Sequence, residues 1–374
     1  MKIWNRLEHE KYTAVMYEPE LYVDNKKRGR SGHMSHAMCE IAPDTIVDFN
    51  SNCSGVRFRG HSAFGWIEYR FSEDAGVTYS EVYEFPFAKK AFEDGIFSVS
   101  VEKAVCCDDG TVVVTCLRND MLGAICCEPW FTPYVCRSTD GCKTWEEAYE
   151  LSPFAGRVYD AVYKDGAIYI ILLCNDARKP EKHEGGLTES FCASRPEDVY
   201  RIYKSTDSGK SFSELCVVPM EDTFGRAYCD LQFDEKGNLH FFAYNSCDEV
   251  NMDHLVSCDN GITWKTCSPC YLEKGIRNPQ INIIDGVWVL HGRGKGFKGF
   301  VFYTSEDGYT WDEGVWLETE KKQCYYSNNI VVNDPDGGKR LLVQFSDTFD
   351  EARVNVMHMW VKIVKKQDFL EIKP

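Results

Sequence analysis

Two near-copies of one short segment stand out in the 374-residue chain, GRVYD at 156–160 and GRAYCD at 225–230. Each sets an arginine, a tyrosine and an aspartate within a few residues. A guanidinium fork grips a carboxylate through two parallel hydrogen bonds. A phenol ring stacks on a sugar face, and its oxygen becomes a nucleophile when a base stands beside it. A carboxyl group can serve as acid or base at a glycosidic oxygen. Together these side chains suit the binding and cleavage of a small, acidic, hydroxyl-rich molecule.

Further residues of the same kinds are spread along the chain. Tyr326, Asp160, Glu128 (in CCEPWFTP), Asp230, His36 and His61 form the expected catalytic set. Arg157, Arg226, Arg277, Arg293 and Arg353, with Tyr159, Tyr228, Tyr325, Asn278 and His291, form the expected substrate-binding set. For each arginine the alternative is a structural ion pair, and for each Arg–Asp segment it is a buttress of its own strand. For Tyr326 it is a stacking or hydrogen-bonding ring. His33, His36 and His61 would hold a divalent metal, or act as acid and base, if a loop gathered them; on a strand, residues three apart face opposite sides. The reading taken is that no cofactor is needed.

The elements that must position these residues are strands. Six segments read as strand, turn, strand, beginning at Ser35, Glu102, Tyr159, Tyr228, Asn278 and Tyr326. Five further turns share a pattern: SEDAGVTY from Ser72, STDGCKTW from Ser138, STDSGKSF from Ser205, SCDNGITW from Ser257 and SEDGYTW from Ser305. Each follows a β-branched or alternating run, and each closes on an aromatic residue. A hairpin, a third strand, the turn and a fourth strand make one unit. Six such units predict an all-β, six-bladed β-propeller of four-stranded blades over residues 1–374, one domain. A strand near Tyr12–Tyr17 would close the ring beside the C-terminal strand. The polar stretch 176–199 reads as a mobile loop inserted in the third blade, and no helical period is apparent.

The formal net charge of −16 opposes phosphate backbones, so nucleic acid is not an expected partner. No apolar run is long enough for a membrane span, and none follows the first basic residues as in an export signal. The 18 cysteines then read as reduced thiols in a cytoplasmic protein. CSPC at 267–270 reads as a turn with spare thiols rather than half of a zinc site. A small carbohydrate is the expected partner, and the oligomeric state is left open.

The five turns resemble the Asp-box of the sialidase superfamily, whose members are six-bladed propellers. Cys142 replaces the box glycine in the second turn, and the fifth is one residue short. The resemblance implies that the boxes are structural and that substrate binds in a funnel on the opposite face. It also implies a nucleophilic tyrosine at Tyr326, opening the last blade. The arginines that grip a sialic acid carboxylate do not carry over: His36, Asn245 and Lys298 occupy their positions. Nor does the glutamate that pairs with the tyrosine, for Tyr228 and Cys229 stand there. The resemblance therefore implies an exo-acting, sialidase-like glycoside hydrolase for a small acidic glycan. A lyase acting on a uronate and a non-catalytic glycan-binding propeller are the alternatives.

Overall fold

The fold is taken from a computed structural model, which describes residues 1–33, 36–54, 64–95, 97–120, 131–175, 198–220, 223, 225–297, 299–317, 326–348 and 351–366. Its strands form six antiparallel sheets arranged as a β-propeller. The innermost strands are His36–Ala42, Phe97–Cys106, Gly156–Lys164, Arg226–Phe233, Arg277–Ile284 and Ser327–Asn333, for blades 1 to 6. Each touches the next in cyclic order, and the sixth returns to the first.

In blade 6, strand Tyr12–Tyr17 pairs with Val356–Lys365, from Tyr12 opposite Lys365 to Met16 opposite Val361. Two strands absent from the sequence expectation extend this sheet. Ile3–Glu8 lies outside Tyr12–Tyr17, and Glu20–Val23 pairs with the start of Val356–Lys365. Of the 176–199 insertion, residues 176–197 lie outside the described residues; strand Asp198–Ser205 follows them.

Two short helices, Asn25–Arg28 and Pro86–Glu93, form where no helical period is apparent in the sequence. Pro86–Glu93 has proline in its first turn and Ala88 buried. Proline's fixed φ suits a helix start, and Phe87 stacks on Tyr134 of the next blade at 5.3 Å. Two turns are too short to show a period in the sequence.

Apolar surface is buried between blades, not at the centre. Six clusters occupy the six junctions; Phe49 and Val114 mark that of blades 1 and 2, and Tyr200 and Phe241 that of blades 3 and 4. A sheet whose two faces both meet neighbours needs apolar residues on both, hence the long runs such as AIYIILLC in Ala167–Asn175.

The repeated turns join the third and outer strands. Ser205 Oγ donates to Asp207 Oδ1 at 2.7 Å and accepts from Gly209 N at 2.9 Å; Asp207 also accepts from Ser211 N and its hydroxyl. The same bonds recur around Asp74, Asp140 and Asp259. Hydrogen bonds from the threonine hydroxyls and backbone hold Asp140 and Asp259 down at about 2. Four turns use two consecutive left-handed residues. Cys142, at the glycine position, accordingly has φ 65°, and the shortened fifth turn uses Gly308 alone.

Candidate functional site

The inner strands of blades 2 to 5 each carry an irregularity. Thr115 faces Lys103 and Cys116 faces Val101, so Glu102 is left over as a bulge. In the third blade Tyr159 is left over between Val158 and Asp160. In the fourth and fifth blades the register breaks across Ala227–Tyr228 and Asn278–Pro279. Bulges bend the strand and re-aim side chains. Here they lie toward the starting end of the inner strands of blades 3 to 5.

Tyr159, Tyr228 and Tyr326 converge at that end. The Tyr228 and Tyr326 hydroxyls lie 3.2 Å apart. Tyr159 meets Tyr228 edge to face at 5.2 Å, and the His33 ring meets Tyr326 at the same distance. The Arg157 guanidinium lies 5.4 Å from the Tyr159 ring and 5.6 Å from the Tyr326 ring. Its Nε donates to Glu102 Oε2 at 3.1 Å, and both side chains are buried. Tyr326, from the sixth blade, packs in the apolar cluster of blades 3 and 4, so the rosette spans the axis.

Arginines adjoin the rosette. Arg277 and Arg293 face each other directly across two strands of the fifth blade. Like charges in that relation repel. Arg277 lies 5.9 Å from the Tyr228 ring and 5.3 Å from Tyr244. Arg293 Nη2 donates to Asn278 Oδ1 at 3.5 Å, and Asn278 has a left-handed backbone, φ 55°. Burial pushes the Tyr244 hydroxyl up to about 12, while Arg277 and Arg293 oppose this.

Other candidates sit elsewhere. Asp160 and Asp230 point into the central channel. Asp160 Oδ2 accepts from Leu231 N of the next blade at 2.8 Å, and Asp230 Oδ2 accepts from Ile281 N of the blade after that at 3.2 Å. The two carboxylates staple consecutive inner strands, which have no ladder between them. Lys103 Nζ lies 3.0 Å from Asp160 Oδ1 and also donates to Gln280 and Asn328. Burial and the Asp160 charge push the Asp230 carboxyl well up; Lys103 opposes them. A cavity of about 100 Å³ adjoins this cluster.

His291 ties blade 5 to blade 6. Its Nε2 accepts from Asn329 Nδ2 at 2.7 Å, which leaves Nδ1–H to donate to Ser327 Oγ at 3.2 Å. His36 lies on a strand with Nε2 3.1 Å from Ser346 Oγ. Burial lowers both rings to about 3, so both are neutral. Both rings lie beside the part of blade 6 that carries Tyr326: His36 meets Ser346, whose N–H donates to Tyr326 O, and His291 meets Ser327. Arg226 pairs with Asp253 of its own blade at 2.8 Å, the structural ion-pair alternative. Arg353 is exposed beside Gly29 and precedes, rather than opens, strand Val356–Lys365. Among the described residues no three His, Cys, Asp or Glu side chains are arranged to hold a metal. Glu128, His61 and Tyr325 lie outside the described residues, as does Lys298.

Sequence reasoning missed Glu102 as a site residue. The signal was present: Glu102 opens its repeat where Tyr159, Tyr228, Asn278 and Tyr326 open theirs. Tyr244 was missed as well, being one aromatic among several in HFFAYN.

No family model matches the chain, and no curated protein matches it. Solved structures do resemble it. A Dyadobacter fermentans protein of unknown function superposes with a TM-score of 0.70 at 15% identity, over 94% of this chain and 99% of that one. Hadza microbial sialidase Hz136 gives 0.67 at 13% identity, over 94% of this chain and 69% of the other. The intramolecular trans-sialidase from Ruminococcus gnavus gives 0.57 at 11% identity, over 95% and 99%. At such identities the likeness is one of fold: the chain has the six-bladed propeller fold that sialidases also use.

Proposed function

We propose that the chain is a sialidase-like, exo-acting glycoside hydrolase for a small glycoside bearing a carboxylate. The observation that carries this reading is the cross-strand pair Arg277–Arg293 beside the tyrosine rosette. Arginines on two directly opposed residues gather positive charge beside the rosette, and a carboxylate fits their forks. Tyr326 then stands as nucleophile. Its proton leaves to solvent, the Tyr228 hydroxyl donates a hydrogen bond to the phenolate so formed, and Arg157, held by Glu102, adds its charge. The turns on the other face are Asp-boxes with a structural role only.

A second reading, elimination from a uronate, has one observation in its favour. The partner of the Tyr326 hydroxyl is a phenol, and paired phenols beside arginines suit removal of a proton next to a carboxylate. One experiment separates the two. The protein is incubated with sialosides, uronides and neutral glycosides, and the products are weighed. Products that have gained water establish hydrolysis. Unsaturated products without added water establish elimination, and turnover of neutral glycosides alone overturns the arginine argument.

A further inference from the structure

On the face away from the rosette, four side chains form an unbroken line. Cys270 Sγ lies 3.7 Å from His254 Nδ1. His254 Nε2 lies 2.9 Å from His240 Nδ1, and His240 Nε2 lies 3.5 Å from Asp234 Oδ2. One proton per link satisfies the line in a single direction: S–H to His254, N–H to His240, N–H to Asp234. The thiol and both histidines are buried, whereas Asp234 is partly exposed. Such a line connects a buried thiol to solvent. Cys270 Sγ also lies 3.8 Å from Gly308 O, a competing acceptor.

A second thiol shares the same face. Leu255 pairs with Thr266, so Cys267 stands opposite His254, and its N–H donates to His254 O. Cys270 pairs with Met252. His254 and Met252 are two apart on one strand and face the same side, so their partners do too. Two strand steps separate them by roughly 6.6 Å, within the Cα spacing of about 4.4–6.8 Å that a disulfide spans. Cys267 is partly exposed and Cys270 is not.

We propose that Cys267 and Cys270 are a modification site for small-molecule disulfides, closing into an intramolecular disulfide with the line to Asp234 as its proton exit. The Cys267 thiolate attacks one sulfur of the reagent; that S–S bond breaks, and one thiolate leaves and takes up the proton that Cys267 lost. Cys270 then passes its proton to His254 Nδ1 and attacks Cys267 Sγ. The mixed disulfide breaks, and the second thiolate leaves and is protonated by solvent, to which Asp234 releases the transferred proton. Two protein thiols are oxidised and one small disulfide is reduced to two thiols.

The test uses the full chain and glutathione disulfide, with unreduced peptide mapping over time. The expected product is a Cys267–Cys270 link, unchanged by Cys258→Ser, while Cys270→Ser stops at a glutathione adduct on Cys267. His254→Gln should slow closure of the adduct roughly a hundredfold, as loss of a general base does. Asp234→Asn, at the exposed end of the line, should slow it several-fold with the fold intact by circular dichroism. An unmodified Cys267, a Cys258–Cys267 link, or an adduct that never closes in the wild type overturns the site. Closure at the wild-type rate in folded Asp234→Asn overturns the exit.

Discussion

The Tyr326 hydroxyl stands 3.2 Å from that of Tyr228, a residue 98 positions away in the chain. Neither ring could be placed by its own blade alone. If Tyr326 is the nucleophile, Tyr326→Phe should abolish turnover of an acidic glycoside, by a hundredfold or more in kcat, with the midpoint of thermal unfolding nearly unchanged. Tyr228→Phe removes the hydrogen-bond donor to the phenolate but leaves the nucleophile, and should cost roughly 10²-fold in kcat. Steady-state kinetics on folded variants decide this; full activity in Tyr326→Phe would end the hydrolase assignment.

Arg277→Ala or Arg293→Ala should raise KM for a carboxylate-bearing substrate far more than for its amide. Because Arg293 is buried and both arginines have partners within the protein, either change should also lower stability in ligand-free protein. Paired KM measurements on acid and amide check the first statement, and denaturant unfolding checks the second.

Glu102 and Arg157 are a buried pair. Removing one partner strands the other charge, at a cost of about 3–5 kcal/mol, whereas replacing both with apolar residues recovers much of that loss. Glu102→Met should therefore unfold at lower urea than the double change Glu102→Met with Arg157→Met. Neither should retain activity, since Arg157 adjoins Tyr326.

Buried histidines contribute to the response to acid. Burial lowers His36, His254 and His291 to about 3 in the folded chain, with His358, His240 and Lys103 respectively adding to the effect. Unfolded, each titrates near 6.5. The unfolded chain thus binds more protons across that window. The contribution of these rings is fully present above about pH 6.5 and declines as pH falls toward 3. Unfolding free energies measured between these limits should drop with acid, and His291→Gln should flatten the slope.

Lys103 carries the channel charges. Lys103→Met should destabilise the protein at neutral pH by roughly 3–5 kcal/mol. Protonation of the Asp230 carboxyl relieves part of the defect, because burial and the Asp160 charge raise its pKa and the fold favours its neutral form. The penalty should shrink as pH falls, and a penalty independent of pH would show that Lys103 does not balance Asp160 and Asp230.

The blade pattern was legible because hairpins and turns are local. Alternation, Gly and Asp mark them within about ten residues, and even the shortened fifth turn from Ser305 announced itself. The destination of polar side chains was not. Asp160 and Asp230 lie one and two residues beyond Tyr159 and Tyr228, yet the carboxylates bond to neighbouring backbones while the rings meet on the axis. A one-residue bulge decides which of two adjacent side chains faces the funnel, and no residue type in those segments signals it.

Sequence alone determined that the chain is a ring of six β units, with repeated turns at the outer corners and arginine and tyrosine at the opposite ends of the inner strands. Those are properties of neighbours in the chain. Only the tertiary structure decided that Tyr326 meets Tyr228, that Arg157 is held by Glu102 and that His291 is a tie between blades. Those partners belong to different blades, and ring closure, not proximity in sequence, brings them together.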